Sequence, residues 1–259
     1  MTYTPFDIAF GKVKDLVATF KANEARYLSP DYQEAEARKD FIDKFWIALG
    51  WDVNHDVQTN PYEQEVKVER GLSAAGQRRA DYAFFLAPNF RDPRFFVEAK
   101  KPAADVGTKE NHFQVIRYGW NSKTPLAVIT DFEQFHVLDC RYKPDIETAL
   151  SCAVAKFRYT QYANRDEFAK IYWLFSREAV AAGSLEKRVA ELREPRGKAA
   201  KRGLFPGGYQ SIDESFLKEL DEHRTALGRA GCASLAGRSL SFCLGLGRPR
   251  RSRGPERPA

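Results

Sequence analysis

RRADYAFFLAPNFRDPRFFVEAK, residues 78–100, reads as two strands joined by a turn. Aromatic and β-branched residues dominate both ends, which suits a pleated, half-buried surface, and PNFRDP between them holds the proline and asparagine residues that end strands. Alternation along RFFVEAK sends Phe95, Val97 and Ala99 to one face and Phe96, Glu98 and Lys100 to the other. Folded back, the first strand lies beside the second. With 16 residues between Asp81 and Glu98, a hairpin pairing then brings both carboxylates to one end of the sheet.

Two acids with a lysine two residues on have a chemical use. The carboxylates of Asp81 and Glu98, with a main-chain carbonyl such as that of Ala99, are the hard oxygen donors that Mg2+ prefers. A divalent cation held there would polarise a phosphodiester and lower the pKa of a bound water. Lys100 faces the same way as Glu98, so it can position that water and stabilise charge building on the phosphate. The competing reading is a structural ion pair, Glu98–Lys100 or Asp81–Lys100, at a strand end. Phe95, Phe96 and Val97 mark the strand as buried, where an unpaired Glu and Lys would be costly.

Upstream the period is helical. Phe6, Phe10, Val13, Val17 and Phe20 recur at steps of three and four, predicting an amphipathic helix over residues 5–22. A second is expected over residues 31–50, with Phe41, Ile42, Phe45, Trp46 and Leu49 on one face and Gly50 as a stop. Glu34 lies seven residues before Phe41, nearly on its face, and so points toward the sheet, whereas Glu36 rotates away. The alternative for Glu34 is a surface pair with Arg38, four residues on. From Trp51 the pattern turns β-rich, and strands are expected in WDVNHDV and EVKVER.

Downstream, a helix is expected over residues 109–121, then strands LAVIT (126–130) and FHVLD (135–139) around a tight turn at DFEQ. The helix presents Gln114 and Tyr118 at i and i+4 on one face, both able to donate hydrogen bonds to phosphate or base edges. His55, His112 and His136 read as isolated packing or surface residues. The fold class is therefore α/β, a mixed central sheet flanked by helices. Beyond residue 160 come helices, beginning with DEFAKIYWLFSREAV, then a basic connector and a helix opened by SIDESFLKELDEHRTAL with Ser211 as N-cap. The expected division is a catalytic domain over 1–160, a helical connector over 161–227 and a basic, disordered tail over 228–259.

Composition narrows the classes further. Cys140, Cys152, Cys232 and Cys243 are widely spaced without a C-x-x-C pair, which argues against a zinc site or a redox dithiol. No segment is apolar over the length of a membrane span, and a cytoplasmic location is expected. The net charge of +6 says little about the main domain. Arg229, Arg238, Arg248, Arg250, Arg251, Arg253 and Arg257 stand in the tail against one acid, Glu256, so the remainder is neutral. Any case for a nucleic-acid substrate must come from particular residues.

Taken together, EAEARKDFIDKFWIALGWDV, RRADYAFF, FFVEAKKP and QVIRYGWNSKTPLAVITDF resemble, in order, the N-terminal nuclease domain of type IIG restriction-modification enzymes and of the R subunit of type I restriction systems. That family has the PD-(D/E)XK, restriction-endonuclease-like fold. The resemblance implies a Mg2+-dependent endonuclease acting on double-stranded DNA. In it Asp81 and Glu98 are the metal-binding acids, Lys100 the catalytic lysine, Glu34 the helix acid, and Gln114 with Tyr118 the Q-x-x-x-Y motif. Ala80 stands where the proline of the family name would be. Neither an N-P-P-Y methyltransferase motif nor a phosphate-binding loop follows residue 220. The composition break near residue 228 therefore suggests a truncated or frame-shifted product, with recognition supplied by a separate methyltransferase or recognition subunit; cleavage of both strands needs two active sites, which a transient homodimer would supply. The alternatives are an idle DNA-binding or interaction module, or a remnant of a restriction enzyme.

Overall fold

The computed structural model describes residues 4–68 and 80–192. The hairpin expected around PNFRDP forms: β2 (Tyr82–Phe84) and β3 (Phe95–Ala99) pair antiparallel, with Tyr82 opposite Val97 and Phe84 opposite Phe95. Among the described residues six strands lie in sequence order, β1 (Val66–Val68), β2, β3, β4 (Leu126–Thr130), β5 (Gln134–Asp139) and β6 (Ala153–Arg158). Among the described strands only β3 and β4 run parallel. Between them α5 (Lys109–Ser122) carries the chain back to the starting end, as a parallel pair requires. The result is a mixed α/β fold.

The two faces of the sheet take alternate residues. Phe95, Val97, Ala99, Val128, Phe135 and Val137 enter the larger core, where they meet α1 (Phe6–Ala22) through Val13, Val17 and Phe20. Also packed there are α4 (Asp43–Ala48), through Phe45 and Trp46, and α7 (Arg165–Phe175), through Phe168, Ile171, Tyr172 and Phe175. Ala127, Ile129 and Leu138 point the other way, into a smaller core closed by Val115 and Ile116 of α5. Gly119 lets α5 lie close to the sheet, because a Cβ there would stand 2.5 Å from Cys140 Sγ. Close packing of α5 matters because this helix faces Glu98 and Lys100.

Three features depart from expectation. WDVNHDV forms no strand. Asp52 instead accepts the N–H groups of Asp56, Val57 and Gln58 at 2.9, 2.9 and 2.7 Å, so this loop satisfies its own donors while burying Trp51 and Val53. The second helix is interrupted: α3 (Glu34–Ala37) passes through a π-helical turn, Arg38–Ile42, into α4. And β6 is an edge strand whose sequence, AVAKFR, announced little, since five of its six residues are only half-buried or exposed. After it come α6 (Tyr159–Tyr162), α7, α8 (Arg177–Ala181) and α9 (Ser184–Glu191), with α2 (Glu24–Tyr27) placed earlier between α1 and α3. The helix expected to open at Ser211, the tail over 228–259, Cys232 and Cys243 lie outside the described residues. Cys140 and Cys152 are buried in the smaller core.

His112 and His136 are not isolated. From α5 and β5 they meet across the smaller core, His112 Nε2 lying 3.0 Å from His136 Nδ1, with 0% and 4% exposure. Burial lowers both pKa values, His136 to about 4, where His112 and Lys156 add to the effect. Neutral imidazoles are therefore favoured in the folded chain. This contribution is complete above the unfolded value near 6.5 and is lost as pH falls toward 4. Wild type should lose on the order of 2 kcal/mol more stability than His136→Gln between pH 7 and pH 5, by urea denaturation. Equal acid sensitivity in the two chains would remove the histidine pair as the cause.

Candidate active site

β3 ends beside β4, with Ala99 opposite Thr130 and the Lys100 N–H donating to Thr130 O at 2.9 Å. Alternation then does what the sequence predicts. Ala99 turns into the larger core, while Glu98 and Lys100 emerge on the side of α5. Asp81 precedes β2 by one residue, and its Oδ2 accepts the Ala99 N–H at 2.8 Å, which fixes it level with the end of β3. Two carboxylates and an ammonium are thereby gathered where strands end and loops begin.

Glu98 is 5% exposed. Its Oε1 accepts from Lys100 Nζ at 2.6 Å and from Gln114 Nε2 at 2.8 Å, and Gln114 Nε2 also donates to the Tyr118 hydroxyl at 3.1 Å. The Glu98–Lys100 ion pair considered from sequence is thus present, and Gln114 joins it. Among the described residues Glu98 Oε2 is buried with no hydrogen-bond partner. A buried carboxylate oxygen without a donor is costly unless something positive or protonated meets it.

The electrostatics record how close these groups are. Burial, the charge of Asp81 and, to a lesser degree, Glu34 push the Glu98 carboxyl up to about 7 against the opposing pull of Lys100. Asp81 is raised by burial, opposed by the Ala99 N–H, Arg38 and Lys100. Glu34, at the start of α3, is raised by burial and by Asp81, again opposed by Lys100 and Arg38. Tyr118 is raised by burial and by Glu98. Each of the five side chains Glu34, Asp81, Glu98, Lys100 and Tyr118 is therefore within electrostatic reach of at least one other, and Gln114 is hydrogen-bonded into the set.

Sequence reasoning missed three participants. Arg38 does not pair with Glu34 on the surface; its Nη1 donates to Asp81 Oδ1 at 3.1 Å and its Nε to the Tyr82 hydroxyl at 3.2 Å. Tyr82 donates in turn to Asp43 Oδ1 at 2.6 Å. The only signal for Arg38 was its place one helical turn after Glu34, and nothing local showed that it reaches Asp81, 43 residues away.

Among the described residues no three His, Cys, Asp or Glu side chains are grouped as a ready metal cluster. The donors that could hold a hard cation here are the carboxylates of Asp81 and Glu98. Their fit rests on the unpartnered Glu98 Oε2 and on the mutual repulsion of Asp81 and Glu98, both of which a cation would relieve. Among the described residues no helix is long and apolar enough to cross a membrane.

No family model and no solved structure matches the chain. Over 221 residues, 83% of its length, the chain is 31% identical to the type II restriction enzyme and methyltransferase RM.Eco57I of Escherichia coli, and it spans 20% of that protein. In sequence, over most of its length, the chain is thus related to part of a restriction enzyme.

Proposed function

We propose that the chain is the nuclease part of a restriction-modification enzyme, of PD-(D/E)XK type, which hydrolyses phosphodiester bonds in double-stranded DNA with Mg2+. The observation that carries this reading is the convergence of Asp81, Glu98 and Lys100 at the end of β3, with one buried carboxylate oxygen left unpartnered. The likeness to part of a restriction enzyme supports the substrate class. The family resemblance extends to type IIG enzymes and type I R subunits. A cytoplasmic location goes with this role.

In this reading Asp81, Glu98 and the Ala99 carbonyl would hold Mg2+, which supplies charge stabilisation at phosphate and lowers the pKa of water. The residues of the chain do the rest. Gln114 fixes the Glu98 side chain through Oε1 and so leaves Oε2 as the free ligand atom. Lys100, held by Glu98 at 2.6 Å, presents its ammonium to an attacking water and to the charge that grows on phosphate oxygens. Tyr118, bonded to Gln114, faces the same region and can donate to the DNA backbone. Glu34 adds a third carboxylate close enough to orient water. Cutting both strands needs two such sites, which a transient homodimer would supply, while sequence recognition falls to a methyltransferase or recognition region or subunit.

The test is conversion of supercoiled plasmid to open-circular or linear form by the purified full chain with Mg2+ and with chelator. Mg2+-dependent cleavage that Asp81→Asn abolishes is the expected result. A folded chain that cuts with no divalent cation, or equally well as Asp81→Asn, would overturn the proposal.

A further inference from the structure

Arg38 is the charged group in this site to which the proposed reaction gives no task. It sits on the π-helical turn Arg38–Ile42 and has two separate holds. One is Asp81, whose Oδ1 accepts from Nη1 at 3.1 Å. The other is Tyr82, whose hydroxyl accepts from Nε at 3.2 Å and whose ring centre lies 4.8 Å from the guanidinium carbon. Tyr82 is itself anchored by donating to Asp43.

The two holds differ in what a cation would do to them. Asp81 Oδ2 accepts from the main-chain N–H of Ala99 and Oδ1 from the Arg38 side chain, so the bond at Oδ1 is the one that a side-chain movement can release to a ligand. A guanidinium and a divalent cation on one oxygen repel each other. The Tyr82 contact involves no metal-binding atom and can persist when the Asp81 contact is given up. Charge balance points the same way. Glu34, Asp81 and Glu98 bring three acids into a partly buried space, which Lys100 and Arg38 partly neutralise.

We infer that Arg38 is a positioning residue that competes with the divalent cation for Asp81, holding the carboxylate in place in the cation-free site and yielding Oδ1, while kept by Tyr82, when the cation enters. This rests on the metal-dependent reading above. Arg38 is a placeholder charge whose removal leaves the acids less compensated, by Lys100 alone, and so more attractive to a cation. A lysine at this position keeps the charge but cannot form the planar two-sided contact with Asp81 and Tyr82.

The experiment is titration of Mn2+ into the full chain, followed by calorimetry and by the electron spin resonance of free Mn2+, for wild type, Arg38→Gln, Arg38→Lys and Asp81→Asn. Circular dichroism establishes that each variant is folded. Arg38→Gln should bind Mn2+ more tightly by on the order of tenfold, as expected when one unit charge is removed near a divalent ion in a half-solvated site. Arg38→Lys should stay near wild type, and Asp81→Asn should lose binding. A residue with a merely structural role would leave the Mn2+ affinity of folded Arg38→Gln unchanged. Unchanged or weaker binding in that variant, with wild type binding through Asp81, overturns this inference alone. Failure of wild type and Arg38→Gln alike to bind Mn2+ overturns the metal-site reading itself.

Discussion

Lys100→Ala should lower the rate of Mg2+-dependent plasmid cleavage by at least about a hundredfold, the usual cost of removing one preorganised charge from a phosphate or oxyanion site. The fold should survive the change. Lys100 is paired with Glu98, which has the alternative of taking up a proton, since its carboxyl is already pushed up to about 7 by burial and neighbouring acids. Deleting the ammonium raises it further and so weakens cation binding as well, because ligation needs the carboxylate. The comparison is therefore best made at saturating Mg2+ and at two pH values above 7. A variant that keeps cleavage within tenfold of wild type under those conditions would show that Lys100 is only the structural partner of Glu98.

The largest effect on stability is expected at Arg177→Met. Glu65 is 2% exposed, and its two oxygens accept from Arg177 Nε at 2.8 Å and Nη2 at 2.9 Å, with the Ala87 N–H also on Oε1 at 3.0 Å. Removing the guanidinium leaves a buried carboxylate held by one amide, which costs about 3–5 kcal/mol in such settings. The double variant Glu65→Gln with Arg177→Met should recover part of that loss, because it removes the stranded charge. Urea denaturation at neutral pH gives both numbers. A loss below about 1 kcal/mol in the single variant would mean that solvent reaches Glu65 and that the pair is a surface feature.

Arg177 and Glu65 also mark where reading the chain stops working. They are 112 residues apart, and each side chain looks like an ordinary surface charge in its own segment. The His112–His136 pair is a second case, and Arg38 a third. In all three the partner is chosen by how elements stack, which local period does not encode. WDVNHDV shows the opposite error. Its apolar residues alternate as a strand would, yet Asp52 supplies the local hydrogen bonds that make a loop, and Trp51 and Val53 are buried without pairing.

The π-helical turn at Arg38–Ile42 is instructive in the same way. Placing Glu34 on the face of Phe41 assumed 3.6 residues per turn throughout, and the wider turn breaks that count. Glu34 nevertheless lies near enough to Asp81 for that charge to raise its carboxyl. The local argument reached the right neighbourhood through a helix geometry that the chain does not keep.

What the sequence determined by itself is whatever a short period writes down: the α1 stripe, the hairpin of β2 and β3, the α5 crossover, and the alternation that sends Glu98 and Lys100 to one side and Ala99 to the other. Side chains of a strand alternate at two residues whatever surrounds them, so this much of the candidate site was legible before any packing was known. Only the tertiary structure decided which polar groups meet, with Arg38 on Asp81, Gln114 on Glu98 and Arg177 on Glu65. The reason is physical. A buried charge is satisfied by the nearest opposite group in space, and close packing of several elements sets that distance, not separation along the chain.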